Sequence, residues 1–346
     1  MLNSKNKVII YAQDSFSGES AKTAIGFIKY GLCETVAIAD RKLAGAKSDK
    51  VLGFHPSIPI FSSIEEAKNK FPNADVLLIG IAPAGGRFPE SWLSDMKKAL
   101  QLKLSIVNGL HDFISNIDEL KMEAKKNNLF IWDVRKAEKK FKIANARLLD
   151  YPNTIILTVG TDAAIGKMTV SLELAKLANK NGNAKFIATG QTGMMISGTG
   201  VPVDAITGDF MAGAVEEEII NSITSKSDVL FIEGQGSILH PGWSGVTLAL
   251  LHGALPHKLI LCHKAGREFL KETKVKIKSL DQFIKIYEDM SLPLRKAKVV
   301  AIGLNTSLIS EHESIDLIKK TEDETGLPVD DVVRFSSEKL LKACQI

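Results

Sequence analysis

Residues 154–169 read Thr-Ile-Ile-Leu-Thr-Val-Gly-Thr-Asp-Ala-Ala-Ile-Gly-Lys-Met-Thr. The first six residues are apolar or β-branched and predict a buried strand, and a helical pattern runs from about Val170 to Lys180. Gly160 and Gly166 bound the loop between them, and Lys167 comes directly after the second glycine. This order is typical of a phosphate-binding P-loop, because inward-turned N–H groups, a helix N-terminus and a lysine charge together hold an anion.

The loop departs from the common P-loop spacing in two ways. Five residues separate its two glycines instead of four, and Met168 stands where a serine or threonine usually binds Mg²⁺. A thioether is a poor Mg²⁺ ligand, so if the cofactor is ATP with Mg²⁺, either Thr169 is the metal ligand or the metal is held differently. The residues expected to contact a phosphate-bearing cofactor are Gly160, Thr161, Asp162, Gly166, Lys167, Met168 and Thr169.

Composition excludes several classes of protein. At 346 residues the chain has room for two domains, and its hydrophobic content of 45% is ordinary for a globular protein. The three cysteines are widely spaced, which argues against a disulfide framework or zinc site. No signal peptide and no membrane-length apolar run are seen, so the sequence predicts a cytoplasmic protein without membrane contact. A net charge of +4 does not indicate nucleic acid, and a homo-oligomer is left open.

The first 150 residues alternate short apolar runs with helical patterns. This rhythm predicts a parallel, doubly wound, Rossmann-like sheet. Asp40 closes the second predicted strand, where a dinucleotide-binding fold places its ribose-binding acid. The first turn, residues 13–19, lacks the glycine fingerprint of such folds, so no cofactor is assigned to this domain.

A second α/β rhythm starts at Thr154, after the structure-breaking Tyr151-Pro152-Asn153. The sequence therefore predicts two α/β domains: a Rossmann-like domain over 1–150 and a P-loop domain over 151–346.

Polar side chains follow two later strands of the P-loop domain. Residues 188–193, Ala-Thr-Gly-Gln-Thr-Gly, form a predicted polar loop at a strand end, where ligands gather in α/β sheets, and Gln191 is its candidate cofactor contact. Glu233 ends the apolar strand that starts at Val229, as the acid of a Walker B strand does. It is a candidate catalytic base or Mg²⁺ ligand; the alternative is a buried carboxylate that caps a neighbouring loop.

Three further side chains are candidates in this domain. Asp204 is a candidate for metal or substrate binding, whereas Asp209 fits a helix N-cap. His240 follows the Glu233 loop and is either a catalytic base or a histidine that structures the loop. His263, at the end of a predicted strand over Lys258–Cys262, is a candidate contact to a base or ribose.

Two segments are strongly basic. Residues 135–147 and 264–278 each carry six basic residues, against one and two acidic residues respectively. Each is either a solvated surface or a face turned to a polyanionic ligand such as a nucleotide or coenzyme A.

The combined motifs resemble one known family over essentially the whole chain. They are the strand end at 132–135, the loop at 160–169 with its Gly-Lys-Met-Thr, the loop at 188–193 and Glu-Gly-Gln-Gly-Ser at 233–237. The chain resembles the DgcN-type family, long catalogued as a domain of unknown function, of which one type is assigned as a D-glutamate N-acetyltransferase. The resemblance implies acetyl-CoA as cofactor and an acidic amino acid as substrate, with Lys167 binding CoA phosphates.

Three functions follow as alternatives. The resemblance implies N-acetylation of an acidic amino acid such as D-glutamate. The long loop spacing is also similar to that of dethiobiotin synthetase, which implies an ATP- and Mg²⁺-dependent ligase or kinase. The third alternative is a non-enzymatic regulator that binds a nucleotide through the P-loop.

Overall fold

A computed structural model describes residues 2–137, 140–181, 183–225 and 228–345. The chain forms two compact units. The first comprises Met1–Glu138 and Gln191–Pro202, and the second comprises Lys139–Gly190 and Val203–Ile346. The sequence places the domain boundary at residue 150 and does not anticipate that 191–202 leaves the second unit, because a short helix packs wherever its apolar face finds a complement.

The first unit contains a parallel six-stranded sheet with strand order β3-β2-β1-β4-β5-β6, the order of a Rossmann fold. Its strands are β1 (Lys7–Tyr11), β2 (Glu34–Ala39), β3 (Ile60–Phe61), β4 (Val76–Ile79), β5 (Ser105–Asn108) and β6 (Ile131–Asp133). Its helices are α1 (Lys22–Tyr30), α2 (Ser48–Leu52), α3 (Ile64–Lys70), α4 (Leu93–Gln101), α5 (Asp118–Lys126) and α7 (Gln191–Ser197).

The second unit also contains a parallel six-stranded sheet, with strand order β12-β11-β10-β7-β9-β8. Its strands are β7 (Thr154–Gly160), β8 (Ala184–Ile187), β9 (Val229–Ile232), β10 (Lys258–Lys264), β11 (Lys298–Asn305) and β12 (Val329–Asp330). Its helices are α6 (Lys167–Ala178), α8 (Met211–Ser222), α9 (Ser244–Ala254), α10 (Leu280–Ser291), α11 (Glu311–Thr325) and α12 (Glu338–Ala343).

The central strands of both sheets are almost continuously apolar because helices cover both faces of a parallel sheet. In the first unit, Ile9, Leu77 and Ile106 are fully buried in one core cluster. In the second unit, Ile156 and Phe231 have the same role. The predicted fold class, two α/β domains with parallel sheets, is confirmed.

The order of the second sheet decides where its site lies. Strand β7 comes first in the chain and lies inside the sheet. The next two strands, β8 and β9, lie on one side of it, and β10 and β11 lie on the other side. Ligands bind at such a switch point, outside the carboxyl ends of the strands. The loop after β7 therefore lies between the ends of β9 and β10, both of which pair directly with β7.

Two boundaries differ from the sequence prediction. Helix α6 begins at Lys167, not near Val170, since Gly166 has a φ of 109° and serves as its N-cap residue. The predicted polar loop at 188–193 ends at Gly190, because Gln191 opens helix α7. In the described part of the chain, no helix is both long and apolar enough to cross a membrane.

Candidate phosphate-binding site

The loop between β7 and α6 presents a row of backbone N–H groups. Thr161 donates its N–H to the Cys262 carbonyl, and Ala163 donates to the Asp162 carboxylate. Among the described residues, the consecutive N–H groups from Ala164 to Thr169 have no protein acceptor. A helix start leaves its first amides unpaired, and the left-handed backbone of Ala164 and Gly166 extends the row backwards into the loop. These six amides, called the amide cradle below, form an anion site in the backbone itself.

Lys167 lies under this loop and is nearly fully buried. Its Nζ donates to the Asp162 carbonyl at 2.7 Å. Burial lowers the pKa of Lys167 to about 8, while nearby Cys262, Asp162 and Glu233 favour the charged form. An anion in the amide cradle would stabilise the ammonium form further.

Two glycines make room for the lysine. A Cβ on Gly160 would lie 3.1 Å from Lys167 Nζ, and a Cβ on Gly234 would lie 3.1 Å from its Cδ and 1.7 Å from the Thr158 carbonyl oxygen. Glycine is therefore required at the end of β7 and just after β9, because a larger residue would collide with its neighbours there. The lysine stem passes between the two strand ends.

The Asp162 carboxylate turns towards another segment of the second unit. It is fully buried and accepts hydrogen bonds from Arg267 Nη1 at 2.7 Å and from the Lys271 N–H at 2.9 Å. Arg267 also donates to the Ala163 carbonyl. With the Ala163 amide as third donor, this carboxylate is saturated by protein groups and holds residues 267–271 against the P-loop.

His263 lies within β10, which continues to Lys264. Its Nδ1 is 2.9 Å from the Thr161 hydroxyl. Burial and Arg267 lower the pKa of His263 to about 4, so the imidazole is neutral at physiological pH. The structure thus brings His263 beside the loop, where its Nε2 is the atom left for a ligand.

Glu233 leaves the end of β9, next to β7, and is almost completely buried. Its Oε2 accepts the N–H groups of Thr189 at 2.9 Å and Gly190 at 3.1 Å. Burial raises the pKa of Glu233 to about 7, although those two amides and Lys167 favour the ionised form. A carboxyl group that titrates near neutrality can exchange protons with a substrate.

His240 is also buried, and both of its ring nitrogens have partners. Nε2 lies 2.9 Å from the Lys271 carbonyl, and Nδ1 accepts the Gly242 N–H at 3.1 Å. The ring stacks on Trp243 with centroids 4.0 Å apart. To act as a base, His240 would have to break one of these hydrogen bonds; its catalytic role stays a prediction.

Sequence reasoning missed Tyr287 on α10. Its hydroxyl is fully buried, donates to the Gly160 carbonyl at 2.7 Å and accepts the Ile238 N–H at 3.1 Å. Tyr287 therefore ties the start of the P-loop to the loop that follows β9. The only sequence signal is its inward spacing from Phe283 on the same face of an amphipathic helix, which does not distinguish this hydroxyl from core packing.

Known proteins of the same architecture match almost the whole chain. Residues 142–341 match the P-loop domain of a family described as a domain of unknown function, DUF1611, and residues 41–137 match the Rossmann-like domain of the same family. The chain belongs to the DUF1611 family.

Individual relatives match at moderate identity. A D-glutamate N-acetyltransferase of Tritonibacter scottomollicae is 34% identical over 81% of this chain and 84% of its own length. A D-glutamate N-acetyltransferase of a Pseudoalteromonas species is 34% identical over 78% of this chain and 80% of its own length. The crystal structure of a DUF1611 protein from Anabaena variabilis is 40% identical, has a TM-score of 0.93 and covers 98% of this chain and 99% of its own.

The metal ligands expected for an ATP site have different surroundings in this DUF1611 chain. Asp204 is exposed on a single 3-10 turn, whereas Glu233 is buried and bound to amides. The Thr169 hydroxyl is half-buried and has no partner in the described ranges. Within those ranges no group of three or more His, Cys, Asp or Glu side chains could hold a metal ion. The predicted Mg²⁺ ligands Thr169, Glu233 and Asp204 therefore stay a prediction.

Gln191, the remaining predicted cofactor contact, belongs to the first unit of the DUF1611 fold. Its Oε1 accepts Arg135 Nη2 at 2.7 Å, and Arg135 Nε donates to the Gly109 carbonyl. The two glycines of the 188–193 stretch suggest one continuous loop, but Gly190 and Gln191 have partners in different units. The role of Gln191 in cofactor binding stays a prediction.

Proposed function

We propose that this protein transfers the acetyl group of acetyl-CoA to the amino group of an acidic amino acid of the D-glutamate class. The observation that carries the proposal is the match over about four-fifths of the chain to two curated relatives named D-glutamate N-acetyltransferase. The amide cradle supports it, because CoA contains a diphosphate that such a row of N–H groups suits.

The CoA diphosphate would be bound by the amides of residues 164–169, with the Lys167 ammonium as the neutralising charge. This role requires no hydrolysis of a phosphate bond and no Mg²⁺. Met168 in the place of the usual hydroxyl ligand is compatible with such a site, since a diphosphate held by amides and a lysine does not depend on a metal.

Glu233 is the proposed proton acceptor. The ammonium group of the amino acid loses one proton to it and the free amine attacks the thioester carbonyl. A C–N bond forms, the C–S bond breaks, the nitrogen loses a second proton, and the sulfur leaves as a thiolate that takes up one proton. The raised pKa of Glu233, to about 7, suits this exchange near neutral pH. His240 is less suited, because both of its nitrogens are engaged.

A second candidate function is an ATP-dependent ligase or kinase. The observation that favours it is the direct pairing of β7 with β9, which puts an acidic strand end next to a Gly-Lys loop as in P-loop NTPases. In that reaction Thr169 and Glu233 would hold Mg²⁺.

A screen for release of free CoA from acetyl-CoA, over a panel of D- and L-amino acids, tests the proposal. Release that depends on an acidic amino acid, and that is lost in Lys167→Ala, is the expected result. ATP hydrolysis stimulated by a small carboxylate, with no CoA release, would refute the acetyltransferase and favour the ligase or kinase. Nucleotide binding without any turnover would favour the regulatory alternative.

A further inference from the structure

Residues 264–278, called the basic loop below, begin at the last residue of β10 in the second unit. The loop carries six basic and two acidic residues. It folds back on itself as a small hairpin: Phe269 bridges Lys276 in antiparallel fashion, Leu270 N–H donates to Val275, and Ile277 N–H donates to Glu268. The basic loop is therefore an ordered element with two arms.

The first arm is fixed to the P-loop. Arg267 and the Lys271 N–H both donate to the buried Asp162 carboxylate, and the Lys271 carbonyl lies 2.9 Å from His240 Nε2. The Lys271 ammonium lies 5.9 Å from the centre of the Trp243 ring. Two of these contacts join the arm to Asp162, two residues before the first amide of the cradle, and the other two join it to the loop that follows β9.

The second arm carries the unpaired charge. Lys274, Lys276 and Lys278 are exposed and, among the residues with described positions, take part in no ion pair. Lys276 and Lys278 are two residues apart in extended chain and so lie on one side of the arm. Paired arms are about 5 Å apart, so the backbone of the second arm lies beside the arm that contacts Asp162 of the P-loop.

Three exposed lysines without a carboxylate partner among the described residues thus belong to an element that contacts the P-loop through its first arm, and they add positive potential to that part of the surface. We propose that the basic loop binds the phosphate that CoA carries outside its diphosphate, on the 3′ position of the ribose. The inference rests on the proposed use of acetyl-CoA. It assigns the diphosphate to the amide cradle and the 3′-phosphate to Lys274, Lys276 and Lys278, so that a ligand with both groups is preferred.

Isothermal titration of the full chain with CoA and with dephospho-CoA, which lacks only the 3′-phosphate, tests this assignment. The natural chain should bind CoA about tenfold more tightly than dephospho-CoA. In K274Q/K276Q/K278Q this ratio should fall to about one, with the affinity for dephospho-CoA unchanged. All three side chains are exposed, so the variant should melt at the same temperature as the natural chain.

The matched control is K121Q/K125Q/K319Q, which removes the same charge from exposed positions of α5 and α11. It should retain the tenfold ratio. Equal affinity of the natural chain for CoA and dephospho-CoA would overturn the inference even if acetyl transfer occurs. So would a control variant whose affinity ratio falls as far as that of K274Q/K276Q/K278Q. A lysine-dependent ratio without turnover on any amino acid would uphold it and refute the acetyltransferase. If neither compound binds, both fail.

Discussion

The two units share an architecture, a parallel sheet covered by helices, but treat the loop after their first strand in opposite ways. Each has a parallel six-stranded sheet whose first strand is followed by a loop and a helix, and each has a buried aspartate near that loop. In the first unit, the Asp40 carboxylate accepts the N–H groups of Ser15 and Phe16, and also those of Lys42 and Leu43. In the second unit, Asp162 turns towards Arg267 and Lys271, and the amide cradle keeps its donors.

The difference teaches what makes such a loop a binding site. In the first unit a carboxylate of the protein engages amides of the loop after β1, although Asp40 stands where dinucleotide folds place a ribose-binding acid. In the second unit the Asp162 carboxylate accepts only the Ala163 amide of the corresponding loop, and the amides from Ala164 to Thr169 have no protein acceptor among the described residues. The two sheets differ in strand order, since β1 pairs with β2 and β4 whereas β7 pairs with β9 and β10. The availability of the loop amides depends on something else, the direction of one carboxylate.

The largest effect on cofactor affinity is expected from Lys167→Ala. Without the ammonium group the amide cradle loses the positive charge that lies under it, so affinity for CoA should fall about 100-fold, on the order of 2.7 kcal/mol. Titration calorimetry measures this. Lys176→Ala, on the exposed side of the same helix, is the matched control and should bind normally. Unchanged affinity in Lys167→Ala would refute the P-loop site.

The pair Asp40→Asn and Asp162→Asn tests the comparison directly. Each substitution replaces a buried, amide-bound carboxylate and should lower the free energy of unfolding by about 2 kcal/mol, as chemical denaturation would measure. Only Asp162→Asn should also weaken CoA binding, by about tenfold, because it releases residues 267–271 from the P-loop. Equal effects of the two substitutions on affinity would contradict the contrast drawn between the units.

The pH dependence should follow Glu233. Because its folded-state pKa is raised to about 7, above an ordinary 4.5, the folded protein binds the proton more tightly than the unfolded chain does. The resulting stabilisation is complete below pH 4.5 and is lost as pH rises through 7, whereas the fraction of ionised base increases. In the natural chain kcat/KM should therefore rise between pH 6 and 8.

Glu233→Gln should abolish that rise and lower kcat about 1000-fold, a loss within the range of a general base. It should also remove the pH-dependent loss of stability between pH 5 and 8. A variant that keeps the natural pH–rate profile would exclude Glu233 as the proton acceptor and leave it as a brace for Thr189 and Gly190.

The smallest effect is expected from His240→Gln. A side-chain amide can still donate to the Lys271 carbonyl, so the basic loop should keep its position and kcat should fall less than tenfold. A 1000-fold loss of kcat with unchanged affinity for CoA would instead make His240 the base, and the roles given to the two side chains would be exchanged.

Much of this site could be predicted from the sequence because it depends on local patterns. The apolar run, the two glycines and Lys167 are contiguous, and Glu233 ends a strand that a short apolar run identifies. The directions of side chains could not be predicted. Whether Asp162 faces the loop interior or Arg267, 105 residues later, depends on where β10 ends relative to β7.

The same limit applies to Gln191 and Tyr287. Gln191 belongs to the first unit, although the residue before it, Gly190, belongs to the second. Tyr287 contacts Gly160, which is 127 residues away in the chain. Spacing along the chain carries no information on such distant partners. Residues 138 and 139, in the basic segment 135–147, lie outside the described residues.

The position of helix α7 in the first unit affects the order in which the two units can fold during synthesis. It belongs to the first unit, where the Ile196 carbonyl accepts the Leu32 N–H and Thr192 lies 3.1 Å from Thr23. A ribosome delivers domains from the N-terminus onwards. Here the Rossmann-like unit stays incomplete until residue 202 has emerged, after β7 and the P-loop have been synthesised. Neither unit can be inherited, exchanged or cut out as one uninterrupted stretch of gene.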